Sequence, residues 1–206
     1  MQKTFFLSLF FSLSITLIAQ TDQKIYDIID AVSEDRIKRD VKTLADFGTR
    51  HTLSDTISKT RGIGAARRWI KSEFDKIDAT CNNCLEVFYQ KDLVKKGDGD
   101  RIVHDVEIVN VVAIQRGTKF PNRYIIMSGD IDSRVSDPTD FTSDSPGAND
   151  NASGMAGTIE TARVLSKYKF ESSIIYVGLS GEEQGLYGGK GLAAFAKEKG
   201  WDIIGI

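Results

Sequence analysis

The chain has 206 residues and a formal net charge of −2, because 29 acidic side chains slightly outnumber 27 basic ones. This length is sufficient for one α/β domain with a sizeable hydrophobic core. The weakly acidic balance argues against binding to nucleic acid or to an anionic membrane surface, both of which require clustered positive charge.

The first 20 residues have the pattern of a signal peptide. Lys3 provides a short positive region, residues 5–18 are mostly apolar, and the small residue Ala19 follows. The apolar run is too short to cross a bilayer, so a signal peptide is favoured over a membrane anchor, and a buried N-terminal helix is the alternative. We therefore expect cleavage near Ala19 or Gln20 and a secreted or periplasmic protein with no membrane anchor after cleavage.

Residues 21–80 are predicted to be helical. Apolar residues recur at helical spacing over residues 25–44, where Ser33 is expected to cap the second of two helices. Residues 46–60 have no clear period and are predicted to form a loop. A third helix is predicted over residues 62–77, with its apolar residues on one face.

The only two cysteines, Cys81 and Cys84, stand in a Cys-Asn-Asn-Cys sequence. One such pair cannot supply the four ligands of a structural zinc site. A redox motif of the thioredoxin type would follow a strand and begin a helix, whereas this pair follows a helix and precedes a strand-like run at residues 85–89. In an exported protein, a disulfide between Cys81 and Cys84 is the favoured interpretation.

Residues 85–206 are predicted to form a sheet with its helices. After a charged loop at residues 91–100, the apolar and β-branched runs that predict strands lie at residues 106–114, 124–127, 173–179 and 203–206. The helices between them are predicted at residues 152–168 and 186–199. Such runs suit strands that are buried on both faces. Strands that alternate with helices predict an α/β fold, with a mostly parallel sheet and helices on both faces.

Five acidic residues fall where predicted strands end or where a helix begins: Asp130, Asp132, Asp150, Glu182 and Glu183. In open α/β sheets, sites form beyond the carboxyl ends of the strands. Carboxylates that converge there repel one another unless a cation neutralises them, so the pattern predicts a site for a divalent metal ion or a pair of ions.

The adjacent glutamates Glu182 and Glu183 are suited to two different roles in catalysis. One carboxylate can bind a metal ion while the other accepts a proton from an activated water. The only histidines, His51 and His104, do not lie beside the acids at strand ends, and we expect them to be packing or surface residues.

These segments resemble the zinc aminopeptidases of metallopeptidase family 28, which use two metal ions. The matching segments are residues 128–134, 146–154 and 180–188, and their order and spacing both agree. The resemblance is specific over about residues 106–206. It implies the fold of the zinc exopeptidases, truncated at the C-terminal end, with residues 21–206 forming part of a catalytic domain.

The resemblance also implies roles for individual residues. Asp150 is expected to bridge two zinc ions, Glu183 to bind one of them, and Glu182 to act as the general base. Asp132 is expected to support a metal ligand without touching the metal. One further Asp and a distant His are expected as ligands beyond Ile206, so this part of the protein is expected to be inactive alone.

One position departs from the family pattern, because Asp130 stands where the family normally has His. Aspartate can also bind zinc, and we predict Asp130 as a metal ligand, although oxygen ligation favours harder ions. In the family, Asp132 accepts the imidazole N–H, so here it needs another donor, for which Arg134 and a backbone N–H are the candidates. The resemblance further implies a cis peptide bond between Asp150 and Asn151.

The expected function is metal-dependent hydrolysis of peptide bonds with release of N-terminal amino acids, so that a peptide or protein is the substrate. Two alternatives stay open. One is a carboxypeptidase or another amide hydrolase on the same scaffold. The other is a non-catalytic domain that has lost its metals, which Asp130 mildly favours and which the spacing of Asp150, Glu182 and Glu183 disfavours.

Overall fold

The computed structural model describes residues 22–206. The predicted signal peptide therefore lies outside the described residues. Within the described range, none of the helices combines the length and apolar character that crossing a membrane requires.

Residues 22–206 form helices and strands close to those predicted. The helices are α1 (Gln23–Asp30), α2 (Glu34–Ala45), α3 (Gly62–Thr80), α4 (Ser153–Leu165) and α5 (Tyr187–Glu198). The strands are β1 (Leu85–Val94), β2 (Val106–Gln115), β3 (Phe120–Asp130), β4 (Ser172–Leu179) and β5 (Asp202–Gly205). Ser33 caps α2 as predicted, because its Oγ accepts the backbone N–H of Arg36 at 3.3 Å.

The strands form one mixed sheet in the order β1-β2-β4-β3-β5. Strands β3, β4 and β5 are parallel, whereas β2 is antiparallel to both β1 and β4. The α/β class is confirmed, and the sheet is less parallel than predicted. The reason is connectivity: α4 and α5 cross over between the parallel strands, but no helix separates β1, β2 and β3, and parallel pairing needs such a crossover.

Strand β1 is longer than predicted and includes the beginning of the predicted charged loop. It continues through Lys91 and Asp92, which pair with Val109 and Ile108 of β2. As an edge strand, β1 tolerates polar side chains that face solvent, and its backbone hydrogen bonds to β2 hold it extended. The polar composition of residues 91–94 therefore predicted a loop, but pairing with β2 makes this segment part of a strand.

Helices cover both faces of the sheet. On one face, α3 contributes Ile70 and Phe74 and α4 contributes Met155 and Ile159, all of them buried. On the other face, Leu192 of α5 packs in a second apolar cluster. Spacing of four residues places each pair on one side of its helix. Each fully buried side chain of this kind contributes about 1.5–3 kcal/mol, so the helices hold the strand ends on a rigid support.

The predicted disulfide between Cys81 and Cys84 is present. It lies at the end of α3, directly before β1, and both cysteines pack against the larger apolar cluster. The backbone N–H of Leu85 donates to Asp78 Oδ1 at 2.8 Å across the same turn. The disulfide and this hydrogen bond therefore fix the transition from helix to sheet.

Candidate metal centre

The ends of two parallel strands bring the predicted acids to one edge of the sheet. Asp130, the last residue of β3, pairs in register with Leu179, the last residue of β4. Beyond that pair, the N–H of Ile131 donates to the carbonyl of Leu179 at 2.7 Å. The two segments that follow these strands therefore leave the sheet side by side.

Asp132 anchors the turn that carries the two glutamates. It is only 2% exposed. Its Oδ1 accepts the N–H of Glu182 at 3.2 Å, and its Oδ2 accepts the N–H of Glu183 at 3.1 Å and the hydroxyl of Thr52 at 2.8 Å. The prediction that a backbone N–H donates to Asp132 is therefore confirmed. The alternative prediction, that Arg134 is the donor, was wrong.

Arg134 contacts Glu183 instead. Its Nε donates to Glu183 Oε2 at 2.5 Å, and the two side chains are mostly buried. The backbone N–H groups of the turn already satisfy Asp132, so the guanidinium is free to pair with the neighbouring carboxylate. A charge-assisted hydrogen bond of this kind is about twice as strong as a neutral one.

Asp150 lies in the irregular segment Ala148–Ala152, directly before α4. The peptide bond between Asp150 and Asn151 is cis, as the resemblance implied. The start of α4 comes very close to the end of β3, because a Cβ at Gly129 would lie 2.5 Å from the backbone nitrogen of Met155. This close approach brings Asp150 towards the acids at the strand ends.

The acids are close enough to affect one another. Burial and four neighbouring carboxylates raise the pKa of Asp130 to about 6. Those carboxylates belong to Asp132, Glu182, Asp150 and Glu183. Burial, followed by the carboxylate of Glu183, also raises the pKa of Glu182. Like charges held this close make it harder for Asp130 and Glu182 to ionise.

The donor set fits a divalent cation. The carboxylates of Asp130 and Asp150 accept no hydrogen bond from any residue in the range 22–206, so their lone pairs are available. Carboxylate oxygens are accepted ligands of zinc. The side chains are not gathered into a finished site, since within the described range no three His, Cys, Asp or Glu side chains have the arrangement that holds a metal ion.

Arg50 is a site residue that the sequence analysis missed. Its side chain is fully buried and donates four hydrogen bonds to backbone carbonyls. Nε reaches Ile131 at 2.8 Å, and Nη2 reaches Gly147 at 3.0 Å. Nη1 reaches Leu44 at 2.9 Å and Pro146 at 2.6 Å.

These contacts make Arg50 a clamp between the end of β3 and the segment that leads to Asp150. Burial lowers the pKa of Arg50 to about 10, and the carboxylate of Asp132 opposes that shift. Arg50 belongs to the loop predicted over residues 46–60, which has neither a period nor a motif. A single arginine in such a loop carries no signal that separates it from a surface residue.

The histidines are packing or surface residues, as predicted. His51 is buried, its Nδ1 accepts the N–H of Leu53 at 3.1 Å, and its Nε2 lies 3.0 Å from the carbonyl of Pro138. Burial lowers the pKa of His51. His104 is exposed, and its ring lies 5.5 Å from the ring of Phe141.

Replacing Thr52 with Val tests the support of Asp132. Valine keeps the shape of Thr52 and removes the hydroxyl donor, so a buried carboxylate oxygen loses one hydrogen bond. We expect the free energy of unfolding to fall by about 1–3 kcal/mol. Urea denaturation measures the loss, and Thr52→Ser, which keeps the hydroxyl, is the matched control. Equal stability of the Val and Ser variants would contradict the proposed support.

Comparison with known proteins identifies the family. The sequence profile of Peptidase family M28 matches residues 110–203, which include the ends of β3 and β4 and the start of α4. This match assigns residues 110–203 to peptidase family M28. The match includes all five acids of the candidate metal centre.

Curated relatives of this chain carry the name probable zinc metalloprotease. One from Pyrenophora tritici-repentis is 40% identical over 84% of this chain and 40% of the relative. Another from Pyrenophora teres f. teres is 44% identical over 90% of this chain and 38% of the relative. The chain thus spans about 40% of the length of the curated relatives it matches.

Solved structures share the fold. LapB from Legionella pneumophila superposes with a TM-score of 0.66 at 19% identity, over 88% of this chain and 44% of LapB. The Legionella pneumophila LapA aminopeptidase gives a TM-score of 0.64 at 19% identity, over 91% and 47%. A glutaminyl cyclase from Fimbriiglobus ruber gives 0.63 at 20% identity, over 82% and 57%. Identities this low support the fold alone.

Proposed function

We propose that the full-length protein is a zinc-dependent exopeptidase that releases amino acids from the N-terminus of peptides. The observation that carries this proposal is the convergence of Asp130, Asp150 and the Glu182–Glu183 turn at neighbouring strand ends. The name of the curated relatives supports zinc-dependent proteolysis. The fold shared with an aminopeptidase is compatible with the narrower activity.

Each residue has a proposed task. Asp130, Asp150 and Glu183 would hold zinc, which when bound polarises a carbonyl and lowers the pKa of a water. Glu182 accepts a proton from the attacking water and delivers it to the leaving amine. Asp132 fixes the position of both glutamates, because it accepts both of their backbone N–H groups.

We also propose that the protein works in an oxidising compartment, either outside the cell or in a periplasm. The disulfide between Cys81 and Cys84 supports this, since disulfides persist in such compartments and are rare where thiols are kept reduced. The predicted signal peptide agrees with export.

Substrate assays on the full-length protein test the activity. We expect hydrolysis of aminoacyl p-nitroanilides and of short peptides from their free N-terminus, and no hydrolysis once the N-terminus is acetylated. Cleavage of acetylated peptides at their C-terminus would instead support the carboxypeptidase alternative. Ring closure of a peptide that begins with Gln would favour glutaminyl cyclisation. A folded protein with neither bound metal nor turnover would favour the non-catalytic domain that has lost its metals.

Metal analysis tests the proposed ligands. We expect the full-length protein to bind one or two zinc ions, and Glu183→Gln to lower the zinc content and the activity together, with partial recovery on adding zinc. Elemental analysis before and after chelation provides the measurement. Glu171→Gln, which changes an exposed glutamate that forms an ion pair with Lys119, is the matched control. Full activity in a metal-free protein would overturn the assignment.

A further inference from the structure

A cavity of about 970 Å³ lies between α3, the loop that precedes it and strands β1 and β2. None of the five acids of the candidate metal centre lines it. Its walls combine apolar residues, among them Leu53, Val106 and Phe141, with the two arginines Arg67 and Arg68. This composition suits a ligand that has both an apolar body and a negative charge.

Arg67 is a buried cation that forms no ion pair with any carboxylate of residues 22–206. Its side chain is only 6% exposed. Its Nη2 donates to Ser180 Oγ at 3.2 Å, and its Nε has no hydrogen-bond partner within residues 22–206. Burial lowers the pKa of Arg67 to about 10. The carboxylates of Asp132 and Glu107, which lie beyond ion-pair distance, oppose this shift because they favour the charged form of Arg67. Burying a charge is costly unless it is paired, so this guanidinium lacks a close anion.

Among the charged side chains that line the cavity, the positive ones are in excess. Arg68 donates to the backbone carbonyl of Thr56 at 2.8 Å and to other carbonyls of the same loop, but within the described chain it pairs with no carboxylate. The acids on the wall already have partners. Asp55 accepts two backbone N–H groups, and Asp105 and Glu107 each pair with a lysine.

The apolar part of the wall is preformed. Leu53, Val106 and Val109 are part of the folded core, each less than a tenth exposed. The half-buried rings of Phe141 and Tyr89 add flat surface, and the Tyr89 hydroxyl has no hydrogen-bond partner within residues 22–206. A ligand here would exchange water for apolar contact at one end and for guanidinium hydrogen bonds at the other.

We propose that this cavity binds a small organic carboxylate with an apolar body, held through its carboxylate by Arg67 and Arg68. The ligand is either a free carboxylic acid or the C-terminus of a peptide, since both present the same group. The inference does not rest on the proposed peptidase activity, because the cavity is built from other residues.

Direct binding measurements test the proposal. The probe is N-acetylphenylalanine, whose blocked amine keeps it from acting as a peptidase substrate, and its carboxamide is the matched compound without the charge. Isothermal titration calorimetry on the full-length protein should show saturable binding of the acid and at least about 10-fold weaker binding of the carboxamide, because a charge-assisted contact is lost. An N-acetylated tripeptide that ends in Phe distinguishes the two sources: tighter binding than the acid indicates a peptide C-terminus, and weaker binding indicates a free acid.

Variants connect the binding to the two arginines. Arg67→Gln should weaken binding of the acid by about 10-fold or more. Arg68→Glu should weaken it at least as much, and its exposed side chain can change without disturbing the core. Arg123→Gln removes an exposed arginine of β3 outside the cavity and should leave binding within about twofold.

Three results would overturn the proposal. They are equal binding of acid and carboxamide, no saturable binding of either, and unchanged binding in Arg68→Glu. If Arg67→Gln does not fold, Arg68→Glu and the carboxamide decide the outcome. Because no turnover is measured, an inactive protein that binds the acid would contradict the peptidase proposal and leave this one supported.

Discussion

Replacing Glu182 with Gln in the full-length protein is expected to lower kcat by about 10²–10⁴-fold, the usual effect of removing a general base. Glutamine keeps the size of Glu182 and its backbone N–H, so the hydrogen bond to Asp132 survives. Zinc content should not change, because Glu182 is not among the proposed ligands. The variant should therefore be folded, contain metal and bind substrate with little change in KM.

Steady-state kinetics, together with elemental analysis of the same samples, provides the measurement. Glu183→Gln is the informative comparison, since it changes the adjacent residue of the same turn and should lower the metal content first. Nearly full activity of Glu182→Gln would show that its carboxylate is not the base. Loss of zinc from Glu182→Gln to the same extent as from Glu183→Gln would show that the assignment of separate roles to the two residues is wrong.

Periodicity predicted most of the fold because burial dictates it. Helix α3 and strand β4 have apolar residues at the spacing that their buried faces require, and both occur where predicted. Strand β1 was predicted too short because its polar residues are held in the sheet by pairing with β2. The direction of a strand also could not be predicted from periodicity, because an apolar run has the same pattern in a parallel or an antiparallel pair.

The acids of the candidate metal centre could be predicted because a general rule places sites beyond strand ends. Their supporting residues could not. Thr52 reaches Asp132 from a loop 80 residues earlier in the chain, and only the tertiary structure joins them. The partner of Arg134 could not be predicted either, because the choice between Asp132 and Glu183 depends on which carboxylate the turn's N–H groups already occupy.

Replacing Arg50 with Met should lower the free energy of unfolding by at least about 3 kcal/mol, which is a large share of the stability of a typical domain. Four backbone carbonyls lose the Arg50 donor, and those of Leu44 and Gly147 keep a backbone N–H donor. The carbonyls of Ile131 and Pro146 have no other donor within residues 22–206, and each buried acceptor left unsatisfied costs about 1–3 kcal/mol. Removing a buried charge relieves its desolvation and offsets part of this loss. The loss of all four hydrogen bonds, two of them to carbonyls with no other donor, outweighs that relief, because methionine fills the space without supplying any donor.

The same change should also reach the candidate metal centre. Arg50 connects Ile131, which follows Asp130, to Gly147, which precedes Asp150, so its loss frees both proposed ligands to move apart. Urea denaturation measures the stability, and zinc titration of the folded full-length variant measures the second effect as weaker binding. Arg123→Met, at an exposed arginine, should change the unfolding free energy by less than about 0.5 kcal/mol. Wild-type stability in Arg50→Met would refute the clamp. Lower stability with undiminished zinc affinity would restrict the role of Arg50 to folding.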